Sequence, residues 1–259
     1  MTLAAVFLLP HSDQTEESDH PMVNTAQKVA IITGASQGIG AALVTAYREL
    51  GYAVVATARS IGESADPEVL TIRGDVAEPG VGAQIVDAAL GRFGRIDTLV
   101  NNAGVFIAKP FTDYTGEDYD TVAGVNLRGF FEVSRSAVAA MLSRDGGGHL
   151  INISTSLVDH ANSQVPSALA SLTKGGLNAV TKALAIEYAT RGIRVNTVAL
   201  GNIRTPMHPP EEYEALAALH PMGRLGEIDD VVQAVVYLEN ASFVTGEILH
   251  VDGGQSAGH

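Results

Sequence analysis

Strand-like apolar runs that alternate with helically spaced segments predict an α/β fold, a single doubly wound parallel sheet of about seven strands with helices on both faces. Three observations carry this reading. Short apolar runs recur at 28–33, 52–57, 69–73, 98–100, 149–153, 193–198 and 247–251. Long periodic segments at 117–143 and 167–190 lie between them. A glycine-bearing turn, Thr33-Gly34-Ala35-Ser36-Gln37-Gly38-Ile39-Gly40, joins the first strand to the first helix. With 259 residues, 46% of them hydrophobic, the chain can bury one sizeable core, which points to one domain over 27–259.

The run Lys28 to Thr33 has the unbroken apolar character of a strand buried on both faces. After the turn, Ile39, Leu43, Val44 and Tyr47 recur at helical spacing, and Gly51 ends that helix. Segment 117–143 places Tyr119, Val122, Ala123, Leu127, Phe130, Val133, Val138 and Met141 in a helical pattern, read as one long helix. Segment 167–190 is likewise helical despite Gly175 and Gly176, and the two are expected side by side over the sheet. Residues 203–226 break the alternation with Pro206, Pro209, Pro210 and Pro221 around a short acidic helix at 211–219. Because this insertion follows a strand's carboxyl end, where open α/β sheets bind ligands, it is expected to be a lid.

Ahead of the domain, residues 1–26 read as a mobile extension. An apolar stretch at 3–9 stops at Pro10, and an acidic polar stretch follows. It lacks the basic start and cleavage site of a signal peptide and is too short to span a bilayer. The net charge of −13, with 16 Lys and Arg scattered among 29 acids, argues against a nucleic-acid partner and for small-molecule work. The chain has no cysteine, which excludes disulfides, thiolate zinc sites and a cysteine nucleophile. No metal site is expected, and the setting expected is cytoplasmic, away from membranes.

The turn from Thr33 to Gly40 carries a physical meaning of its own. A helix start offers unpaired N–H groups and the positive end of the dipole, and residues without Cβ let an anionic group approach that backbone. The spacing G-x-x-x-G-x-G fits a pyrophosphate cradle and also fits a tight strand–helix turn.

Further motifs follow in order: Asp75-Val76, Asn101-Asn102-Ala103-Gly104, Asn126, Ser154-Thr155-Ser156, Lys174 and Val251-Asp252-Gly253-Gly254. Together with the glycine turn they resemble the short-chain dehydrogenase/reductase family over about residues 27–254, an ordered set far more specific than any single motif. The resemblance implies a Rossmann-type domain that binds a nicotinamide dinucleotide. It places Gly34, Ser36, Gln37, Gly38, Ile39 and Gly40 along the pyrophosphate and adenosine ribose, and Asp75 and Val76 at the adenine. It sets Asn102, Ala103 and Gly104 as a central wall, and Ile203 and Thr205 beside the carboxamide, with Gly201 keeping the turn before them flexible. No carboxylate stands at 54–60, and Arg59 offers a guanidinium that matches a 2′-phosphate, so NADP is favoured over NAD. Gln37 stands where some NADP-dependent relatives carry a basic residue.

The catalytic part of the pattern is incomplete. In the family a tyrosine four residues before the lysine handles the proton at the substrate oxygen, but four before Lys174 is Ala170, and no tyrosine lies between Tyr119 and Tyr188. Lys174 is implied to hold the nicotinamide ribose, and Asn126 a water in the proton path. Thr155 aligns with the family's serine and Ser156 competes for that role, although either hydroxyl also suits a strand-end cap. Losing a positioned general acid costs about 10²- to 10⁴-fold, so activity with a substitute donor is expected: Lys174, a water held by Asn126 and Lys174, or His160. A second departure is Ala199-Leu200-Gly201, where the family has Pro-Gly. The resulting expectation is an NADP-linked oxidoreductase, with NAD possible, that interconverts a carbonyl and an alcohol on a small, fairly apolar substrate. The alternative is a catalytically inactive cofactor-sensing protein. Apolar stretches at 231–238 and 248–251 resemble the part through which relatives assemble, implying a homo-dimer or homo-tetramer.

Overall fold

A computed structural model describes residues 27–258, and the expected extension at 1–26 lies outside the described residues. Seven strands form one parallel sheet: β1 (Val29–Thr33), β2 (Ala53–Ala58), β3 (Val69–Arg73), β4 (Thr98–Asn101), β5 (Gly148–Thr155), β6 (Ile193–Leu200) and β7 (Ile248–Val251). Their order is β3-β2-β1-β4-β5-β6-β7, so the winding direction reverses between β1 and β4. Every residue of β1, β2 and β4 is buried, as unbroken apolar runs require of inner strands. The edge strands β3 and β7 are only half-buried.

Helices cover both faces. On one face Ile31 and Val55 meet Ile85 and Val86 of α2 (Val81–Phe93), Val133 and Met141 of α4 (Phe130–Leu142), and Ala185 of α5 (Ala168–Tyr188). On the other, Ile32 and Val54 meet Leu43 and Tyr47 of α1 (Gly38–Glu49) and Val231, Val235 and Leu238 of α7 (Ile228–Asn240). This is the doubly wound arrangement that the alternation predicts. Among the described residues no helix is long and apolar enough to cross a membrane, and no group of three His, Cys, Asp or Glu is placed to hold a metal ion.

Two elements differ from expectation. The long helix at 117–143 is divided into α3 (Gly116–Ala123), a π-helical turn (Gly124–Gly129) and α4. The widened turn brings the Asn126 side chain inside, where its carboxamide pairs with both main-chain groups of Val105. Gly129 completes the turn by packing on Val76, whose Cγ2 would lie 2.7 Å from an added Cβ. The acidic helix expected at 211–219 is also shorter, a single 3-10 turn (Pro210–Glu212) followed by α6 (Tyr213–Ala217). Its end is set by His220, whose Nδ1 lies 3.0 Å from the Leu216 carbonyl.

At the amino edge of the sheet, the Glu239 carboxylate accepts hydrogen bonds from Tyr47 Oη (3.0 Å), Tyr52 Oη (2.9 Å), Thr98 Oγ1 (3.1 Å) and His149 Nδ1 (3.0 Å). His149 is buried, which disfavours its charged form, and a neutral ring protonated on Nδ1 donates to Glu239 while its Nε2 accepts from Asn196 Nδ2, with Arg194 Nη2 3.1 Å from Nδ1. Arg194 donates to the Leu238, Glu239, Ala241 and Val244 carbonyls, capping the negative end of α7. Burial works against ionisation of Glu239, but the hydrogen bonds from His149, Tyr52 and Tyr47 outweigh it and hold its carboxyl below the ordinary value of 4.5. The stabilisation is therefore present above that value and lost as pH falls below it. Glu239→Ala is expected to cost about 3–5 kcal/mol in chemical denaturation, because it strands buried donors. It should also flatten the loss of stability on acidification, and a variant as stable and as acid-sensitive as the parent would contradict this role.

Candidate active site

The carboxyl ends of all seven strands lie on one edge, and the reversal between β1 and β4 opens a crevice there. Its two walls are tied together. Asn102 Nδ2 donates to the Thr33 carbonyl (2.9 Å) and the Gly34 carbonyl (3.1 Å), while Thr33 Oγ1 accepts from the Asn102 and Ala103 amides at 3.1 and 3.0 Å. Gly34 (φ +68°) and Gly38 (φ +56°) adopt left-handed backbone, which favours glycine. A Cβ on Gly40 would collide with the Gly34 carbonyl oxygen, so α1 can start against the turn only with glycine there. Ser36 and Gln37 are exposed, and Ile39 packs inward against the α1 face of the core. No side chain caps the amino end of α1 and no acid sits in its first turn, leaving N–H groups at the crevice that can receive an anion.

Beside the turn, Arg59 follows β2 and is exposed. Its carbonyl accepts from Arg73 Nε at 2.9 Å, and Arg73 pairs with Ala58 across β2 and β3, so the two exposed arginines are neighbours at this corner. Asp75 folds its carboxylate back onto the Ala77 amide (3.0 Å), and Val76 is buried beneath the π-helical turn. These side chains can together receive the polar and flat parts of a nucleoside.

On the other side of the crevice, Lys174 of α5 points its Nζ to the Ile153 carbonyl at 2.7 Å. Gly104 lies against the same ammonium, and a Cβ there would stand 3.1 Å from Nζ. Burial lowers the Lys174 pKa from 10.5 to about 8. Asn126 is buried with Nδ2 donating to the Val105 carbonyl (3.0 Å) and Thr173 Oγ1 (3.1 Å), and Oδ1 accepting from the Val105 amide (3.0 Å). Its side chain thus braces the loop after β4. At the end of β5 the two hydroxyl candidates differ. Thr155 is half-buried, and its Oγ1 accepts from the Leu157 amide at 3.3 Å. Ser156 is fully buried and donates to Gln255 Oε1 at 2.8 Å. Ala170, one helical turn before Lys174, is buried as well.

The family profile described as Enoyl-(acyl carrier protein) reductase matches residues 34–256. A 3beta-hydroxysteroid dehydrogenase from Eggerthella lenta is 37% identical over 246 residues, covering 88% of this chain and 94% of that protein. A solved structure of a mutant short-chain dehydrogenase/reductase from Serratia marcescens superposes with a TM-score of 0.82 at 32% identity, covering 89% of this chain and 99% of that one. The chain belongs to the short-chain dehydrogenase/reductase family. A 3-ketoacyl-(acyl-carrier-protein) reductase from Brucella melitensis, solved with NADH, gives a TM-score of 0.81 at 31% identity over 88% of this chain and 98% of that one.

Within this short-chain oxidoreductase the segment 203–226, expected to be a lid, is tied at its base. Gly226 donates to the Asn202 carbonyl (3.0 Å) and Arg204 to the Gly226 carbonyl (2.8 Å), closing a bridge between Ile203 and Gly226. Arg204 stacks on Tyr213 at 4.6 Å and pairs with Glu227 at 3.0 Å. His220 Nε2 accepts from the Asn202 amide (2.9 Å), and Gly201 leaves room for that ring. Thr205 and Pro206 reach across to within 3.8 Å of an added Cβ on Gly38, so this segment passes over the glycine turn. A cleft of about 350 Å³ opens between His220, Arg224, His250 and Asp252.

Sequence reasoning did not single out Arg73, Val105, His220 or Gln255. Arg73 carried a readable signal, a second arginine at the carboxyl end of a strand, whereas the other three act through contacts distant in sequence. Gly40→Ala is expected to destabilise the protein by about 1–3 kcal/mol in thermal or chemical denaturation, the usual cost of overpacking. Unchanged stability would mean that α1 does not rest on the turn as described.

Proposed function

We propose that this enzyme is an NADPH-linked reductase and dehydrogenase that interconverts a carbonyl and an alcohol on a small, fairly apolar substrate, using Lys174 in place of a tyrosine. The observation that carries the reading is the pairing of a complete nucleotide cradle with a buried, pKa-lowered Lys174 one turn after a buried Ala170. The residues present fit a nicotinamide dinucleotide: the left-handed glycines at 34 and 38, the open amino end of α1, and the exposed Ser36 and Gln37 leave backbone accessible to a pyrophosphate. When bound, the cofactor supplies or accepts a hydride.

In this reading Thr155 Oγ1 hydrogen-bonds the substrate oxygen and the Lys174 ammonium gives that oxygen its proton during reduction, the neutral amine taking it back during oxidation. A pKa of about 8 suits both directions near neutral pH. Asn126 contributes by bracing Val105, since its amide is committed there, and this favours Lys174 over a water held by the Asn126 side chain. Ile203 and Thr205 border the carboxamide, and the exposed Phe106 and Met207 offer apolar surface for the substrate. Arg59 and Arg73 support a 2′-phosphate, although the Brucella relative was solved with NADH. Assembly into a homo-dimer or homo-tetramer and a cytoplasmic setting belong to the same proposal.

Two measurements test it. NADPH oxidation is expected with at least one member of a panel of small apolar aldehydes and ketones, and Lys174→Met should reduce it by about 10²- to 10⁴-fold. No consumption across the panel would favour a cofactor-sensing protein. In titrations NADPH should bind more tightly than NADH, and Arg59→Ala should weaken NADPH by about 10- to 100-fold while leaving NADH little changed, the effect of one charge-assisted hydrogen bond. Equal affinities in the parent protein would defeat the assignment of phosphate selectivity.

A further inference from the structure

The segment that carries Thr155 is held from the far end of the chain. After β7 the Asp252 carboxylate accepts from the Gly254 amide (3.0 Å) and the Ser256 amide (2.8 Å), building a tight turn on Gly253 (φ +59°) and Gly254 (φ +91°). That turn aims Gln255 inward, where it is 2% exposed and its Oε1 accepts from Ser156 Oγ, itself 0% exposed. Ser156 is in turn the hub of the loop after β5, because its carbonyl accepts from the Asp159 and His160 amides at 3.0 and 2.9 Å. Fixing Ser156 fixes the adjoining peptides, and with them the Leu157 amide that donates to Thr155 Oγ1. Two further ties are weaker or more exposed: Ser171 Oγ reaches the Leu157 carbonyl at 3.3 Å, and His250 Nε2 lies 3.0 Å from the half-exposed Asp159 carboxylate. Of these three ties, the bond between Ser156 and Gln255 has both partners buried.

We propose that Gln255 is a positioning residue, acting through Ser156 to aim the Thr155 hydroxyl at the substrate oxygen. The inference rests on the reductase reading for its catalytic consequence, while the tie itself is independent of turnover. It gives Ser156 the part of an anchor that delivers Thr155. It also makes the C-terminal turn, remote in sequence from the other site residues, a determinant of the rate of the chemical step. A donor or acceptor displaced by about 1 Å costs on the order of 10²-fold in rate, so such a tie has leverage without touching substrate.

The test uses the full chain and two readouts: amide hydrogen exchange over 154–160, and steady-state reduction with NADPH. Gln255→Leu and Ser156→Ala should each speed exchange at 154–160 and lower kcat by about 10²-fold, with the NADPH Kd changed by no more than about twofold. The double variant should be no worse than either single one, since both remove the same bond. Gln255→Glu, which keeps an acceptor oxygen, should retain more activity than Gln255→Leu, and Ser156→Ala carries the test if Gln255→Leu does not fold. Additive losses, faster exchange without a fall in kcat, or unchanged exchange would each overturn the proposal. A parent protein that oxidises no NADPH with any carbonyl would instead overturn the reductase reading, while the exchange measurement still decides whether Gln255 holds the loop.

Discussion

The joint between Thr33 and Asn102 is the constraint on which the rest of the site depends. Where a parallel sheet reverses its winding, two neighbouring strands send their chains to opposite faces and a gap opens between them. Here one hydroxyl and one carboxamide close the floor of that gap, each making two bonds to the other strand's end. Because the Asn102 amide also holds the Gly34 carbonyl, the same joint fixes the first residue of the glycine turn, against which Gly40 starts α1. The base of the crevice is therefore hydrogen-bonded across both strands, and the loops after β5 and β6 stand beside it.

On that base the two halves of the site are built by different physics. The nucleotide side is mostly backbone: left-handed glycines, an uncapped helix start and a pair of exposed arginines. The reacting side is mostly buried polar chemistry. Lys174 gives up solvation to lie against Gly104 and the Ile153 carbonyl, and the cost of that burial lowers its pKa towards neutrality. In the proposed reaction this is useful, because an amine near its pKa can both give and take a proton where Ala170 offers only a methyl group. The polar cluster around Glu239 plays a separate part at the opposite edge of the sheet, where it joins α1 and α7 to the strands.

Much of this was legible in the sequence because it is periodic or local. The strands announce themselves as unbroken apolar runs, and the turn between Thr33 and Gly40 follows from where glycine sits relative to a strand and a helix. The division of the helix at 117–143 was not legible, since Asn126 reads as one polar residue on a helical face until the loop after β4 is placed beside it. Ser156 was open between two roles for the same reason: its partner Gln255 is 99 residues away, and only the folded chain brings that carboxamide to it. His220 belongs with these, a histidine that tethers the segment 203–226 through the Asn202 amide. The apolar pattern encodes the sheet, whereas bonds between loops from different strands define the site.

In the proposed reaction Lys174 carries the proton at the substrate oxygen. Its most direct test is the pH dependence of kcat for carbonyl reduction at saturating NADPH. Because burial lowers the Lys174 pKa to about 8, the ammonium is present below that pH and is lost above it. The reduction rate is expected to be level below about pH 7 and to fall through a midpoint near 8, about tenfold per unit beyond it. A rate that stays level from about pH 6 to 10 would contradict it, since no group titrating with Lys174 would then be giving the proton.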